Sequence, residues 1–372
     1  MRCRVRVDPG RPLATQPRVG HNRWHPELEP VLAVRAGEPF ELETLDARDA
    51  FFASAGVEEY LRAFPAGRVH PLTGPVRVEG ARPGDLLEVE VLEAHARGSG
   101  ITAIRPGAAA LEELLDEPCV LRWTLGPDEA RCAALPGVRV PQATFPGVLG
   151  VAPSHELMRR AHAREAALAR RGGAVAPQAP DDAVPPHVRD GLRTLPPREH
   201  GGNLDMRQLR PGGRVLLPVH VDGALLSAGD LHYAQGDGEL GGAALEVAGA
   251  VTLRCTLHRG GRWRPRGPLV LPAPEPPRRW LQTTGLPLEA DGANADRDLG
   301  LALRAAAREL AAWLVELRGL PLGPACTLIG LAADVRLPQL VNAPNATVSL
   351  ALPLDLFDAF HASPPTTSEL LA

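Results

Sequence analysis

Leu-Leu-Glu-Val-Glu-Val-Leu-Glu, residues 86–93, alternates apolar and acidic side chains. On extended backbone successive side chains point to opposite faces, so this pattern predicts a strand buried on one face and wet on the other. Arg-Pro-Gly-Asp at 82–85 supplies the turn that leads into it. Working outward, Val31–Arg35 and Pro39–Leu45 read as strands around an Ala-Gly-Glu turn, and the alternation of residues 1–7 reads as a first strand. Val215–Val221, introduced by Leu-x-Pro-Gly-Gly at 209–213, and Ala243–His258 are further strand candidates. Helix signals are fewer. Ser154 is placed to cap a helix over His155–Arg171. Asp298–Arg318 carries the strongest helical pattern: Leu299, Leu303, Ala306, Leu310, Trp313 and Leu317 fall near a 3.6 period, and Gly319 and Pro321 end it. Strands gathered ahead of a long late helix predict a β-rich α+β fold. The alternation of strand and helix is too weak for a doubly wound sheet. A single domain over 1–372 is expected, with the Pro/Ala/Gly-rich tract 172–198 as an excursion from it.

Composition narrows the function. The 372 residues are 44% hydrophobic, enough for a large core, and the formal charge is -4 with no basic stripe, which argues against a nucleic-acid partner. No segment approaches the roughly 18 apolar residues of a membrane helix, and no apolar secretion core follows the N-terminus. A cytoplasmic protein without membrane or nucleic-acid partners is expected. The five cysteines, Cys3, Cys119, Cys132, Cys255 and Cys326, are scattered and form no Cys-x-x-Cys pair. Most of them read as small buried hydrophobes, and a zinc knot or disulfide framework is not expected. All 40 basic residues are arginine. Without lysine, lysine-based hydrolase chemistry, a P-loop and Schiff-base chemistry are excluded. There is no Gly-x-Ser-x-Gly elbow either.

The polar residues concentrate in 200–246. Asn203 and Asp205, Asp230 and His232, and Asp237 and Glu239 each lie two apart, a spacing that puts both side chains on one face of extended backbone. Glycines 201, 202, 229, 236 and 238 permit tight turns beside them. A mixed set of histidine and carboxylates suits zinc or a similar divalent ion. The plainer reading is that Gln-Gly-Asp-Gly-Glu at 235–239 is only a hairpin connection. His21 and His25 sit four apart, but Pro26 argues against a metal-binding helix there.

His-Asn-Arg-Trp-His-Pro at 21–26, His-Pro-Leu-Thr-Gly-Pro-Val at 70–76 and Phe-Pro-Gly-Val-Leu-Gly-Val-Ala-Pro at 145–153 are spread along the chain, and through them the whole chain resembles the acetamidase/formamidase family. Its most specific blocks are Gly-Gly-Asn-Leu-Asp-Met-Arg-Gln-Leu at 201–209 and Gly-Asp-Leu-His-Tyr-Ala-Gln-Gly-Asp-Gly-Glu at 229–239, and Val-Asn-Ala-Pro-Asn at 341–345 is a late match. His200, Leu231 and the tract 172–198 depart from the pattern. The resemblance implies an acetamidase/formamidase-like fold with a sheet or barrel-like β core. It also implies hydrolysis of short aliphatic amides to a carboxylate and ammonia, a divalent metal, zinc or calcium, and a homodimer or larger homo-oligomer.

Amide chemistry then suggests roles. A divalent ion lowers the pKa of a bound water to about 7 and polarises the carbonyl, and a neighbouring carboxylate moves the proton to the departing nitrogen. Asp205, Asp230, His232 and Asp237 are the candidate ligands and Glu239 the candidate base and acid. His70 and Asn203 are candidates for orienting substrate or stabilising the oxyanion. The sequence does not separate ligand from base, so these roles can exchange. Hydrolysis of a lactam or other amide is the alternative, as is a non-catalytic metal- or small-molecule-binding protein on the same scaffold.

Overall fold

The computed structural model of the chain describes residues 3–104, 118–134, 140–236, 239, 242–261, 263–274, 279–320, 333–354, 357 and 366–371. The acidic-apolar alternation opens a strand of 19 residues, Leu86–Ile104. Leu87, Val89 and Val91 are fully buried. Glu88 and Glu90 leave on the other face, where Arg214 and Arg254 meet them. Leu92 breaks the strict alternation, and the pairing with Leu245–His258 shifts register there: Val91 faces Leu253 and Glu93 faces Thr252. One extra residue in a bulge restores the in-and-out order.

This strand pairs antiparallel with Arg214–Pro218, Leu245–His258 and Cys119–Leu125. It lies in one branched, 18-stranded and mostly antiparallel sheet; a two-stranded ribbon joins Arg23–Trp24 to Leu192–Arg193. Strands from many branches share one apolar core, with Leu42, Val76, Val89, Leu149, Val215 and Val251 among its buried members. The other expected strands form as Leu32–Val34, Pro39–Thr44 and Cys3–Val5.

Both expected helices form. Ser154 Oγ accepts from the Leu157 amide at 3.1 Å and starts His155–Arg170. Asp298 Oδ1 accepts from the Leu301 amide at 2.8 Å and starts Leu299–Glu316. The buried face of the late helix is rotated from the expected one. Leu301, Ala302, Ala306, Leu310, Trp313 and Leu314 are buried, while Leu299 is exposed. The strands Trp280–Gly285 and Thr347–Pro353 receive that face through Leu281, Leu350 and Leu352, and their position fixes its phase.

The tract 172–198 is more ordered than an extended loop. It carries two short 3-10 turns, Pro180–Asp182 and Pro186–Val188, and the strand Leu192–Arg193. Buried arginines tie it down through backbone carbonyls: Arg193 donates to Ala66 O at 2.8 Å, and Arg23 donates to Ala179 O of the tract. Cys132 and Cys255 are buried as expected, but Cys3 is exposed and Cys119 half-buried; all four are free thiols. Cys326 lies outside the described residues. No helix among the described residues is long and apolar enough to cross a membrane.

Candidate active site

Three neighbouring segments build the site. Phe145–Gly150 is the central strand, with Gly201–Asn203 on one side and Leu226–Ala234 on the other. Gly201 and Gly202 have φ of 95° and 101°, and a Cβ on Gly201 would sit 2.6 Å from Leu149 O. Only glycine lets the chain pass that close. The chain then turns at Asp205 (φ 48°), and Asp230 interrupts its own strand at φ 54°; Glu239 has φ 47°. Left-handed backbone is costly for residues with a Cβ, though aspartate tolerates it better than most. The expected spacing of two on regular strand is therefore not what gathers these groups. Local left-handed turns do, together with a register shift between His232 and Ala234.

His232 is the hub. Its Nε2 lies 3.4 Å from Asp230 Oδ2, 3.3 Å from Glu246 Oε2 and 4.0 Å from Asp205 Oδ1. Asp205, Asp230 and His232 offer one ligand atom each within 4.8 Å of one another, and so do His232, Glu239 and Glu246. All five residues are buried. Phe145 packs edge-on against the imidazole at 5.1 Å. Gly147 fills the remaining gap, where a Cβ would come within 2.7 Å of both Asp205 Oδ1 and His232 Cε1. His70 Nε2 stands 3.8 Å from Asp230 Oδ2, and Thr194 from the Pro-rich tract accepts from the His70 amide. Arg48 bonds to Tyr60 and sits in the field of Glu246 and Asp230, which with Tyr60 raises its pKa against the effect of burial.

The electrostatics follow from packing carboxylates away from water. Burial pushes Asp205 up to about 8; the nearby Asp230 and Glu246 add to this, against His232 and the Asn342 amide. Burial raises Glu239 well above the usual carboxylate range, with Asp205 adding to it. For Asp230 burial works the same way, but His70 and His232 overcome it and hold the group low. Burial opposes charge on His232, and Glu246 and Asp230 prevail, keeping it well above the ordinary 6.5. His70 is lowered by burial.

Of the residues singled out in the sequence, Asp205, Asp230, His232 and Glu239 come together and His70 stands beside them. Asn203 is buried on the adjoining strand end with its Oδ1 unpartnered, and among the described contacts none joins it to the carboxylates. Asp237 lies outside the described residues. His21 bonds to Ser227 at 2.7 Å, and His25 faces Asp190 at 3.5 Å. His200 Nδ1 donates to Val151 O, 2.8 Å away, and the ring packs edge-on against Trp24.

Three participants escaped the sequence reading. Glu246 lay inside the strand expected over Ala243–His258 without a role of its own, yet a lone carboxylate in Leu-Glu-Val-Ala-Gly-Ala-Val is a burial signal. Gln235 bonds His232, and Asn342 donates to Asp205 Oδ2.

A metal fits this donor set. Asp205 Oδ1, Asp230 Oδ1, His232 Nε2 and Glu246 Oε2 are buried and have no hydrogen-bond partner. Leaving several such atoms unpaired is costly, and a shared cation satisfies them together.

The sequence profile described as the Acetamidase/Formamidase family matches residues 6–359. The chain belongs to this family. Family membership makes it an amidohydrolase. It is similar to the formamidase of Methylophilus methylotrophus, 30% identical over 364 residues that cover 91% of this chain and 89% of that one. Among solved structures it is similar to the acetamidase from Bacillus halodurans, with TM-score 0.72 and 29% identity over 92% of this chain and 97% of that one. It is also similar to a γ-lactamase from Delftia acidovorans, with TM-score 0.70 and 31% identity over 99% and 96%. The β-rich sheet with one long late helix is thus the acetamidase/formamidase fold.

Proposed function

We propose that this family member hydrolyses short amides to a carboxylate and ammonia at the cluster around His232. The observation that carries the reading is the convergence of three buried carboxylates, each with an unpartnered oxygen, on one histidine whose Nε2 is also unpartnered. In this reading Asp205, Asp230 and His232 hold a divalent ion, and two carboxylates with one imidazole favour zinc, with calcium as the alternative. The bound ion supplies Lewis acidity and lowers the pKa of a water to about 7.

The remaining steps fall to this chain's own side chains. Glu239 stands next to the same imidazole and takes the proton of the attacking water, then returns it to the leaving nitrogen. Glu246 shares the approach to His232 and is the next candidate for that role. Asn203 Oδ1 is a buried acceptor without a partner, suited to an amide N–H; His70, with an unpartnered Nδ1 and its Nε2 3.8 Å from Asp230, is the candidate donor toward the developing oxyanion.

Glu246 also lines a cavity of about 210 Å³ with Arg48, Phe52 and Ile101. That is room for formamide or acetamide. The spare volume, with the likeness to a γ-lactamase, supports a small lactam as a second substrate class. A roomier apolar cavity of about 360 Å³ beside Trp263 lies at the other end of the long strands and holds none of these residues.

The test is ammonia release from formamide and acetamide, and ring opening of a γ-lactam, by zinc-loaded and chelator-treated protein. Turnover that needs the ion supports the reading. A metal-replete protein inert toward a broad panel of short amides and lactams overturns it.

A further inference from the structure

The side-chain amide of Gln235 sits among three partners whose chemistry decides its orientation. On one side are two backbone carbonyls, Asp205 O at 2.9 Å and Pro338 O at 3.0 Å. A carbonyl only accepts, so the NH₂ of Gln235 must face this pair. The amide oxygen is thereby committed to the third partner, His232 Nδ1, at 2.8 Å. An amide oxygen only accepts, so His232 must carry a proton on Nδ1. The Nε2 lone pair is then the one available to a cation, and Nε2 is the atom that faces Asp205, Asp230 and Glu246.

We infer that Gln235 is a positioning residue for the ion: it fixes the tautomer and ring orientation of His232 and locks His232 and Asp205 into one unit. The second half of this follows from its bond to the Asp205 carbonyl. Asp205 has left-handed backbone, so its carboxylate direction depends on what restrains its peptide groups. Gln235 restrains the carbonyl, and Asn342 holds Oδ2 of the same residue, leaving Oδ1 toward the cluster. Pro338 belongs to the strand Asp334–Gln339 and Asn342 to the turn after it. A late segment of the chain therefore sets the aim of ligands that precede it by more than a hundred residues. Partners of this type around metal-bound histidines typically change metal affinity by 10–100-fold when removed.

The inference rests on the reading of His232 and Asp205 as ligands, and the experiment separates the two. Zinc affinity is measured by competition with a chromophoric chelator for the parent, Gln235→Met and Gln235→Glu. Met keeps the length and removes all three bonds; Glu keeps the acceptor for Nδ1–H and removes the two donors. The expected result is a 10–100-fold loss for Gln235→Met and a smaller loss for Gln235→Glu. Melting in chelator confirms that both variants fold. Nitrogen-15 spectra of histidine-labelled, zinc-loaded parent should show the His232 proton on Nδ1. Gln235→Met binding zinc as tightly as the parent, or a proton on Nε2 in the zinc-loaded parent, overturns the role of Gln235. A parent that binds no zinc overturns the ligand reading itself. If Gln235→Met does not fold, the Gln235→Glu affinity and the tautomer of the parent still decide the question.

Discussion

At each end of the paired strands Leu86–Ile104 and Leu245–His258 a glutamate meets a histidine, on the strand itself at one end and on the neighbouring Leu226–Ala234 at the other, and the two ends are solved differently. At one end His258 Nε2 meets Glu88 Oε2 at 2.7 Å, and Arg214 donates to the other oxygen at 3.1 Å. Burial tends to raise Glu88, but His258, Thr367 and Arg214 overcome it and hold the group low. At the other end, roughly 40 Å away along the strands at about 3.3 Å per residue, Glu246 faces His232 at 3.3 Å with Oε2 unpartnered. Asp205, Asp230 and Glu239 crowd in, with Arg48 nearby as a counter-charge. The closed end spends its charges on structure. The open end keeps buried acceptors in want of a cation, at a cost that function must justify.

The comparison breaks most visibly if the open end is indifferent to chemistry. Glu239→Gln is expected to keep its zinc and lose 10²–10⁴-fold in turnover, about the span of general acid–base catalysis. His232→Ala is expected to lower zinc occupancy instead. Metal analysis beside kinetics distinguishes them: a Glu239→Gln protein that has lost its zinc makes Glu239 a ligand and shifts the proton transfer to Glu246.

A closed carboxylate should show itself in acid. Arg164 grips Glu199 with two bonds of 2.5 and 2.7 Å, overcoming burial and lowering its pKa to about 2 from the usual 4.5. A depressed carboxylate stabilises the fold above the unfolded value and loses that contribution as pH falls through the folded one. Stability should therefore drop between pH 4.5 and 2 by about 3 kcal/mol, at 1.36 kcal/mol per unit. Glu199→Gln should flatten this stretch of the curve in urea unfolding; a variant that tracks the parent contradicts the assignment.

Two substitutions sharpen the contrast. Gly147→Ala pushes a methyl against Asp205, His232 and the Asp230 carbonyl and is expected to cost about 10²-fold in turnover, the scale of a 1 Å misplacement, along with about 1–3 kcal/mol of stability. Glu88→Gln should separate the two: about 1–2 kcal/mol of stability lost on chemical denaturation, with turnover within about twofold of the parent. Loss of turnover in Glu88→Gln with unchanged stability would erase the distinction between the two ends.

What the sequence determined by itself is what a few neighbouring residues can decide. The strand at 86–93, the cap at Ser154 and the existence of the late helix depend on side-chain alternation or on bonds three residues long. Asp205, Asp230, His232 and Glu239 could be named for the same reason, since they lie in one short polar block that matches a known family. Tertiary structure alone decided the rest. It turned the late helix so that Leu299 faces solvent, because the receiving strands set the phase. It gathered the candidate ligands through left-handed turns rather than strand spacing. It added Glu246, Gln235 and Asn342, the last bonded to Asp205 across 137 residues. Contacts of that range depend on which strands pair and where their register slips, and no local periodicity encodes them.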